Sequence, residues 1–395
     1  MKPGAGRKGS VVKTDNGDVP ARTVLEERIR ARRLTFEEFT EFAEAFARQH
    51  NEQGTLSVRH LQRLAAGRGE HGRPLGKPRA ATARLLERIF GISIEELLSP
   101  PEAASRVETD SAAELRRMLR ASEHVDSSVL ALLRDQLGAT RRLDRQFGAI
   151  VARDEVLAKI TQVSRLLDHS LSPSTREQLA AHLSELHALA GWQALDTGNL
   201  NGSWRHYTRA ATAASQSGDP GFAAHSAAGQ AFVLIDLGDT GEAAELLETA
   251  REGTQRRTCR LMRSWLAAAH GEALAADQRR AESLRAFDQA HSLLPDASTN
   301  GDGPYVVLDH IHLGRWRGHA LARLGDPSAV DVLTSALDRL DRTFTRAETS
   351  LRVDLATAYT ALGEVTEARQ QISHAEQLAT DVGSHRQRRR LQLLL

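Results

Sequence analysis

The sequence predicts an all-α protein with two or three domains. Aromatic residues make up only 4% of the chain, whereas alanine, leucine, arginine and glutamate, which favour helices, are abundant. Alternating runs of valine, isoleucine, threonine and tyrosine, which would indicate strands, are missing. The 395 residues are enough for two or three domains with a large buried core.

The charge, the cysteine content and the hydropathy of the chain exclude several classes of protein. A formal net charge of +1 at pH 7 means that any contact with a polyanion is local. Cys259 is the only cysteine, which excludes an intrachain disulfide and a cysteine-based zinc cluster. Residues 1–20, an expected disordered tail, lack the apolar core of a signal peptide, and no run of about 18 apolar residues follows. We therefore predict a cytoplasmic protein without a membrane span.

A domain of five short helices is predicted over residues 21–100. Its first helix is indicated by apolar residues at helical spacing, namely Val24, Leu25, Ile29 and Leu34. Next, Thr35-Phe36-Glu37-Glu38 forms a capping box, in which the hydroxyl and the carboxylate satisfy each other's backbone donors. This box opens a second helix with an aromatic stripe, which the polar residues 49–55 end.

The third helix has an apolar back and a cationic front. Ser57 is a predicted N-cap, and Gly67 is suited to end the helix in a left-handed conformation. Leu61 and Leu64 lie on the back, because successive residues are about 100° apart. Long cationic and amide side chains form the front, namely Arg59, Gln62 and Arg63. Arginine and glutamine make bidentate pairs with guanine and adenine, so this helix is typical of one that reads DNA.

The residues around this helix concentrate positive charge. Residues 57–88 contain eight basic and two acidic side chains, a net charge of +6 in a chain whose net charge is +1. A face that contacts phosphates requires such a concentration of cations. The alternative interpretation is a basic surface that is only solvated.

The last two predicted helices complete a pattern that is similar to that of a known family. Ala80–Phe90 is predicted to be a helix that Gly91 stops, and Ser93-Ile94-Glu95-Glu96-Leu97-Leu98 opens the fifth helix with a second capping box. With the helices before it, this ending resembles the five-helix, lambda-repressor-like helix-turn-helix domain of Xre-family regulators. One departure is that Thr35 and Ser57 lie 22 positions apart, about ten more than a compact helix-turn-helix needs. Either the positioning helix is extended or the turn is a long loop.

The resemblance implies which residues contact double-stranded DNA. Side chains of the third helix would face the bases, namely Arg59, His60, Gln62 and Arg63. Residues at its start and in the following segment would hold phosphates, namely Ser57, Arg68, Arg73, Lys77 and Arg79. Because two half-sites lie one helical turn apart, such a domain also implies a homodimer.

After a linker at residues 101–125, partly helical around 112–119, residues 126–395 are predicted to be a domain of helical repeats. In each repeat a turn is followed by a small residue five positions later, a larger one at nine and alanine at twelve. The turns of this series are Gly198, Gly238, Gln278 and Gly363, with Gly325 fitting after deletion of one residue.

Small residues at these positions allow two helices to approach closely, and the larger residue fills the groove between repeats. The series is similar to tetratricopeptide repeats, although its spacing of about 40 residues exceeds the usual 34 or so. We therefore expect five helix pairs over residues 175–382, preceded by a helical segment at 127–170. Together they would form a right-handed α-solenoid with a concave face.

The concave face supplies the candidate ligand-binding residues. After Pro304 one predicted helical stripe mixes aromatic, acidic and imidazole groups, namely Tyr305, Asp309, His312, Trp316 and His319. Further candidates lie on other helices, namely Arg263 with His270, and Arg352 with Glu348 and Tyr359. Trp265 is expected to point away from Arg263 and to pack in the stack. The alternative is that all of these side chains make contacts between helices.

Catalysis and metal binding are not expected. His310 and His312 point about 160° apart on a helix, so both rings cannot reach one ion. No nucleophile with its base, no carboxylate cluster and no glycine-rich phosphate loop is found in the sequence. We therefore predict that the protein is not an enzyme and uses neither a metal nor a cofactor.

A helix-turn-helix joined to tetratricopeptide-like repeats resembles a large class of regulators in actinomycetes. The resemblance implies a DNA-binding transcriptional regulator whose repeats sense a peptide, a small molecule or a partner protein. Binding there would set the spacing of two DNA-reading domains in a dimer. Two other hypotheses stay open. One is an adaptor between proteins with a vestigial helix-turn-helix, and the other is a repressor that needs no ligand.

Overall fold

The computed structural model describes the chain in five stretches, namely residues 21–50, 52–68, 78–254, 257–295 and 303–395. Over these stretches the prediction of an all-α class is confirmed, with nineteen helices and no strand. None of these helices is long and apolar enough to cross a membrane. The chain divides into an N-terminal unit, Met1–Arg117, and a C-terminal unit, Met118–Leu395. The predicted tail at residues 1–20 lies outside the described residues.

Five short helices make up the core of the N-terminal unit. They are α1 (Val24–Ala31), α2 (Phe36–Gln49), α3 (Val58–Ala66), α4 (Ala80–Phe90) and α5 (Ile94–Leu97). Their apolar faces meet around Phe39, Leu61 and Leu86, which are fully buried. Helix α6 (Pro101–Glu123) follows, so the segment predicted to be a partly helical linker is helical over most of its length.

The caps that the sequence predicts for α2 and α3 are confirmed. Thr35 and Glu38 form a reciprocal capping box at the start of α2. The hydroxyl oxygen of Ser57 accepts the backbone N–H of His60 at 3.3 Å at the start of α3. Gly67 ends α3 with φ of 64°, in the left-handed region that glycine adopts at little cost. Local chemistry therefore determines where these helices begin and end.

The connection between α2 and α3 combines both alternatives that the sequence left open. Helix α2 extends over fourteen residues, and residues 52–57 then run as non-helical chain. Gly54 lies so close to α4 that a Cβ atom there would be 2.5 Å from the carbonyl oxygen of Ala81. The hydroxyl of Thr82 donates to the carbonyl oxygen of Thr55 at 3.1 Å. The segment is therefore held against α4.

The C-terminal unit continues with thirteen more helices in the described residues. They are α7 (Ser127–Phe147), α8 (Ala149–His169), α9 (Pro173–Asp196), α10 (Leu200–Ser217), α11 (Pro220–Leu237), α12 (Thr240–Thr254), α13 (Arg260–Ala276), α14 (Arg280–Leu293), α15 (His310–Arg323), α16 (Ala329–Arg339), α17 (Thr345–Leu362), α18 (Val365–Asp381) and α19 (His385–Gln392). Helices α9 to α18 pack as five consecutive pairs, each joined by a short turn, with α7 and α8 ahead of them.

Phe287 shows how the repeated series packs. Its ring lies against Gly271 of the preceding helix, where a Cβ atom would come within 2.7 Å of the ring. The hydroxyl of Ser283 donates to the carbonyl oxygen of Gly271 at 2.8 Å, which is possible only because the two helices are close. Tyr207 occupies the same place in the first pair, against Gly191. The small and large residues of the series therefore lie in the contact between paired helices.

Gly229 on α11 is expected not to tolerate alanine. A Cβ atom at this position would overlap the ring of Tyr207, which is buried on α10. Overpacking of a core costs about 1–3 kcal/mol. We expect Gly229→Ala to lower the free energy of unfolding by this amount. Urea unfolding followed by tryptophan fluorescence measures it, because all four tryptophans lie in the C-terminal unit.

Gly314→Ala in α15 is the matched control for this substitution. In the described part of the chain, no atom other than those of its chain neighbours and of the nearby backbone of its own helix lies within 4 Å of a Cβ atom built at Gly314. Alanine in a helix interior is favoured over glycine by up to about 1 kcal/mol, so this variant should be as stable as the wild-type protein or more stable. If both variants lost the same free energy of unfolding, overpacking at Gly229 would not be the cause of the loss.

The last helices of the C-terminal unit pack against its first helices. Helix α17 packs against α7, and α19 packs against α9. Gly148, between α7 and α8, lies so close to Val382 that a Cβ atom there would overlap its carbonyl oxygen. The series of helices is therefore closed on itself. Its inner side forms a cavity, which is lined by the first helix of each pair together with α7 and α19.

Candidate functional sites

The front of α3 is the first candidate site. Arg59, Gln62 and Arg63 are exposed, and His60 among them is half-buried. The apolar back of the helix is buried in the core of the N-terminal unit. Helix α3 therefore presents its cationic and amide side chains to solvent while its backbone is fixed from behind.

Three of the five predicted phosphate-contacting residues lie in the described part of the chain. In the described residues they are exposed, namely Ser57, Arg68 and Arg79. Arg73 and Lys77 lie outside the described residues. The hydroxyl oxygen of Ser57 serves as the cap of α3, so this side chain holds the helix in addition to lying at the face.

The pKa of His60 shows how the charges of this face add. Burial lowers this pKa, and the charges of Arg63 and Arg79 lower it further. Guanidinium groups of α3 and of the residue before α4 therefore act on the same ring. A surface on which cations are concentrated in this way attracts phosphate groups.

The second candidate site is a cavity of about 330 Å³ inside the C-terminal unit. Side chains of α7, α9, α11, α13, α15, α17 and α19 line it, because the closed series turns these helices inward. Its volume lies in the range of small-molecule sites. Seven arginines line the cavity but only four carboxylates do, namely Asp144, Glu185, Asp196 and Glu272. The lining therefore contains more cationic than acidic side chains, although Asp236 and Asp354, which are not part of the lining, pair with two of these arginines.

Aromatic side chains form one wall of the cavity. The ring centroids of Trp265 and Trp316 lie 5.8 Å apart, and Phe232 meets the two rings edge-on at 6.4 and 6.0 Å. Such tilted and edge-on arrangements are the favourable ones for aromatic pairs. The ring of His225 lies 5.0 Å from Trp265, and burial lowers its pKa to about 4. This wall is therefore apolar and uncharged at neutral pH.

Another part of the cavity contains a charged cluster around His319. Its Nε2 lies 3.2 Å from a carboxylate oxygen of Glu272, and its Nδ1 lies 2.7 Å from Asp354. Arg390 donates to the same oxygen of Asp354 at 2.6 Å. Although burial opposes ionisation, His319 and Arg390 hold the pKa of Asp354 below its usual range. Burial raises the pKa of Glu272. His319 thus lies between two carboxylates whose pKa values are shifted in opposite directions.

Four of the predicted ligand-binding residues line this cavity, namely Tyr305, His312, Trp316 and His319. Helix α15 begins only at His310, so Tyr305 reaches the cavity from the preceding loop and not from a helical stripe. Asp309 is the N-cap of α15. It accepts the backbone N–H of His312 at 2.7 Å and lies 2.9 Å from the ring of His312, and therefore positions that ring.

Arg263, His270 and Arg352 lie outside this cavity, so the single concave face predicted for all the candidates is not found. Arg263 lines a separate pocket of about 270 Å³. His270 is buried in contact with Arg251, and burial lowers its pKa to about 4. Arg352 pairs with Glu348 of its own helix at 2.7 Å. His270 and Arg352 make contacts between and within helices.

The sequence did not identify Trp265 or the arginines as part of the cavity. Trp265 points away from Arg263, as predicted, but that side of α13 faces the cavity. Arg315, His319 and Arg323 recur every four residues and share one face of α15. This spacing is the signal that could have identified the two arginines.

Comparison of the chain with protein-family models found no match, and comparison with curated proteins found none. Among the described residues, no group of three or more histidine, cysteine, aspartate or glutamate side chains is arranged to hold a metal ion. The geometry and charge of the two candidate sites are therefore what supports a function.

Proposed function

We propose that the protein is a homodimeric, DNA-binding transcriptional regulator with an Xre-type helix-turn-helix and a ligand-binding domain of tetratricopeptide-like repeats. The observation that carries the proposal is the exposed face of α3. Arg59, Gln62 and Arg63 project there from a helix that is capped at both ends. Such a regulator acts in the cytoplasm, where a bacterial chromosome lies.

The contacts on the buried side of α3 hold this helix in place, as a helix that reads DNA requires. Leu61 and Leu64 anchor its back in the core, and the hydroxyl of Thr23 donates to the carbonyl oxygen of Ala65 at 2.8 Å. A helix fixed in this way loses little conformational entropy on binding, so its side chains can reach base edges in a defined geometry.

The side chains of the face match the two kinds of DNA contact. Arginine pairs with the acceptor atoms of guanine, and glutamine pairs with adenine, which provides sequence readout by Arg59, Gln62 and Arg63. Arg68 and Arg79 are exposed nearby and are suited to phosphate contacts. Phosphate contacts supply much of the affinity and make it depend on salt.

The cavity of the C-terminal unit supports the sensing part of the proposal. It is lined by helices from the beginning, the middle and the end of that unit. A ligand in the cavity would contact several of these helices and would favour the arrangement that binds it best. Ligand binding and the conformation of the repeats are then coupled.

The test is binding of the full-length protein to DNA from upstream of its own gene at several salt concentrations. We expect affinity to fall steeply with salt, and Arg59→Ala/Arg63→Ala to lose about 1–3 kcal/mol for each base contact. Arg116→Ala/Arg117→Ala on α6 is the matched control, because it removes the same charge from exposed positions elsewhere.

Equal binding by all three proteins would reject α3 as the helix that reads DNA. If the operator lies elsewhere in the genome, a screen of random genomic fragments would detect binding to it. Absence of salt-dependent binding in both experiments would favour the alternative, in which the helix-turn-helix docks a protein.

A further inference from the structure

Arg315 and Arg323 of α15 are half-buried cations in the wall of the cavity. Among the described residues, no carboxylate oxygen lies within 4.0 Å of either guanidinium group. The Nε of Arg315 is fully buried and has no hydrogen-bond partner in the described chain. Arg323 lies 3.5 Å from the Nε2 of His319. Burial lowers the pKa of both guanidinium groups, and the charges of Glu272 and Asp354, which act through space, offset this effect only in part.

Most of the other arginines of the cavity are paired with carboxylates. These pairs are Arg141 with Glu185, Arg346 with Asp144 and Asp196, Arg386 with Asp236, and Arg390 with Asp354. Arg145 lies 4.5 Å over the ring of Phe344 and donates to the hydroxyl of Tyr305 at 3.3 Å. The contrast identifies α15 as the place where the positive charge of the cavity is least compensated.

The nearest acidic groups are engaged elsewhere. Glu272 and Asp354 act on Arg315 through space, but their carboxylates contact His319, and Asp354 also pairs with Arg390. Burial also raises the pKa of Glu272. An anion from outside the protein would supply what these two arginines lack.

The aromatic wall lies in the same cavity as the two arginines. Trp316 follows Arg315 in α15 and is half-buried, so part of its ring is open to the cavity. Trp265 and Phe232 extend this apolar surface. A flat apolar group would bury its faces there, while a charged group at its end would meet guanidinium donors.

We propose that the cavity binds a small carboxylate with a planar apolar body, of the kind found in aromatic acids. Its carboxylate would accept hydrogen bonds from Arg315 and Arg323, and its ring would pack against Trp265 and Trp316. The volume of about 330 Å³ admits a molecule of this size and excludes a long peptide or a folded partner. The regulatory role of this ligand rests on the proposed function. The inference deepens that function by naming the class of ligand.

Isothermal titration calorimetry of the full-length protein with naphthoate tests this inference. Naphthamide has the same ring without the charge, and cyclohexanecarboxylate has the charge without the aromatic ring. We expect naphthoate to bind about tenfold more tightly than either compound, because only naphthoate satisfies both the arginines and the aromatic wall.

Arg315→Met identifies the cation that holds the carboxylate. The variant should bind naphthoate about tenfold more weakly and naphthamide as the wild-type protein does. Its unfolding midpoint without ligand should be unchanged or higher, because an uncompensated charge is removed. Arg323→Met should act in the same direction. Arg317→Met is the matched control, since Arg317 is the next arginine of α15 but pairs with Asp288 at 2.6 Å, and it should leave naphthoate binding unchanged.

Equal affinity for naphthoate and naphthamide would overturn the inference, and so would the absence of naphthoate binding. Unchanged naphthoate affinity in both Arg315→Met and Arg323→Met would also overturn it. DNA binding is measured without ligand in a separate experiment. DNA binding without naphthoate binding would reject the ligand class and keep the regulator, whereas the opposite result would reject the DNA-reading helix and keep the carboxylate site.

Discussion

Arg346→Met is expected to destabilise the C-terminal unit by about 3–5 kcal/mol, because it leaves two buried carboxylates without their cation. Arg346, near the start of α17, pairs with Asp144 of α7 and with Asp196 of α9, and its side chain is only 9% exposed. Although burial disfavours its charge, Asp196 and Asp144 raise the pKa of Arg346. Urea unfolding followed by tryptophan fluorescence measures the loss in this unit.

Removing all three charges together separates the contribution of the ion pairs to stability from the contribution of side-chain packing. Arg346→Met/Asp144→Asn/Asp196→Asn should recover much of the stability, because no buried charge is then left uncompensated. Arg317→Met breaks an exposed pair with Asp288 and should cost no more than about 1 kcal/mol. If Arg346→Met costs no more than Arg317→Met, the buried cluster does not hold the unit together.

The C-terminal unit is also expected to lose stability as the pH is lowered from 6.5 to about 4. His182 on α9 is 5% exposed, and neither of its ring nitrogens has a hydrogen-bond partner in the described part of the chain. Burial lowers its pKa to about 4, whereas the unfolded chain takes up the proton near pH 6.5. The unfolded state therefore binds more protons in this interval, and His182 alone costs about 1.4 kcal/mol per pH unit, or about 3 kcal/mol in total.

His182→Leu should reduce the slope of the unfolding free energy against pH by about 1.4 kcal/mol per unit between about pH 4.5 and pH 6. Part of the pH dependence should remain in this variant, because burial also lowers the pKa values of three other histidines to about 4. They are His187, His225 and His270. His374 is exposed on α18, so His374→Leu is the matched control and should leave the slope unchanged. A wild-type slope in His182→Leu would mean that the folded protein protonates this ring as readily as the unfolded chain does.

Much of the fold could be predicted because it depends on local chemistry. Ser57 caps α3 through a hydrogen bond to a residue three positions later, and Gly67 ends it through its own backbone conformation. The repeat series could be predicted because closely packed helices need small residues at fixed positions. Ser203 and Ser283 are fully buried at those positions.

The candidate ligand site could be predicted only in part. His312, Trp316 and His319 share a face of α15, so their helical spacing was enough to group them. The spacing of Arg315 and Arg323 also places them on one face of α15, but it does not show that their surroundings lack a carboxylate partner. Those surroundings come from helices that are distant in the sequence.

By itself, the sequence determined the helical class, the ends of helices and the repeated packing, because these depend on residues a few positions apart. Only the tertiary structure decided that the helices of the C-terminal unit close on themselves and which side of α13 faces the cavity. Asp144 and Arg346 are in contact although 202 residues separate them in the chain. No local pattern encodes such a pairing, and the cavity lies between helices that only the tertiary structure brings together.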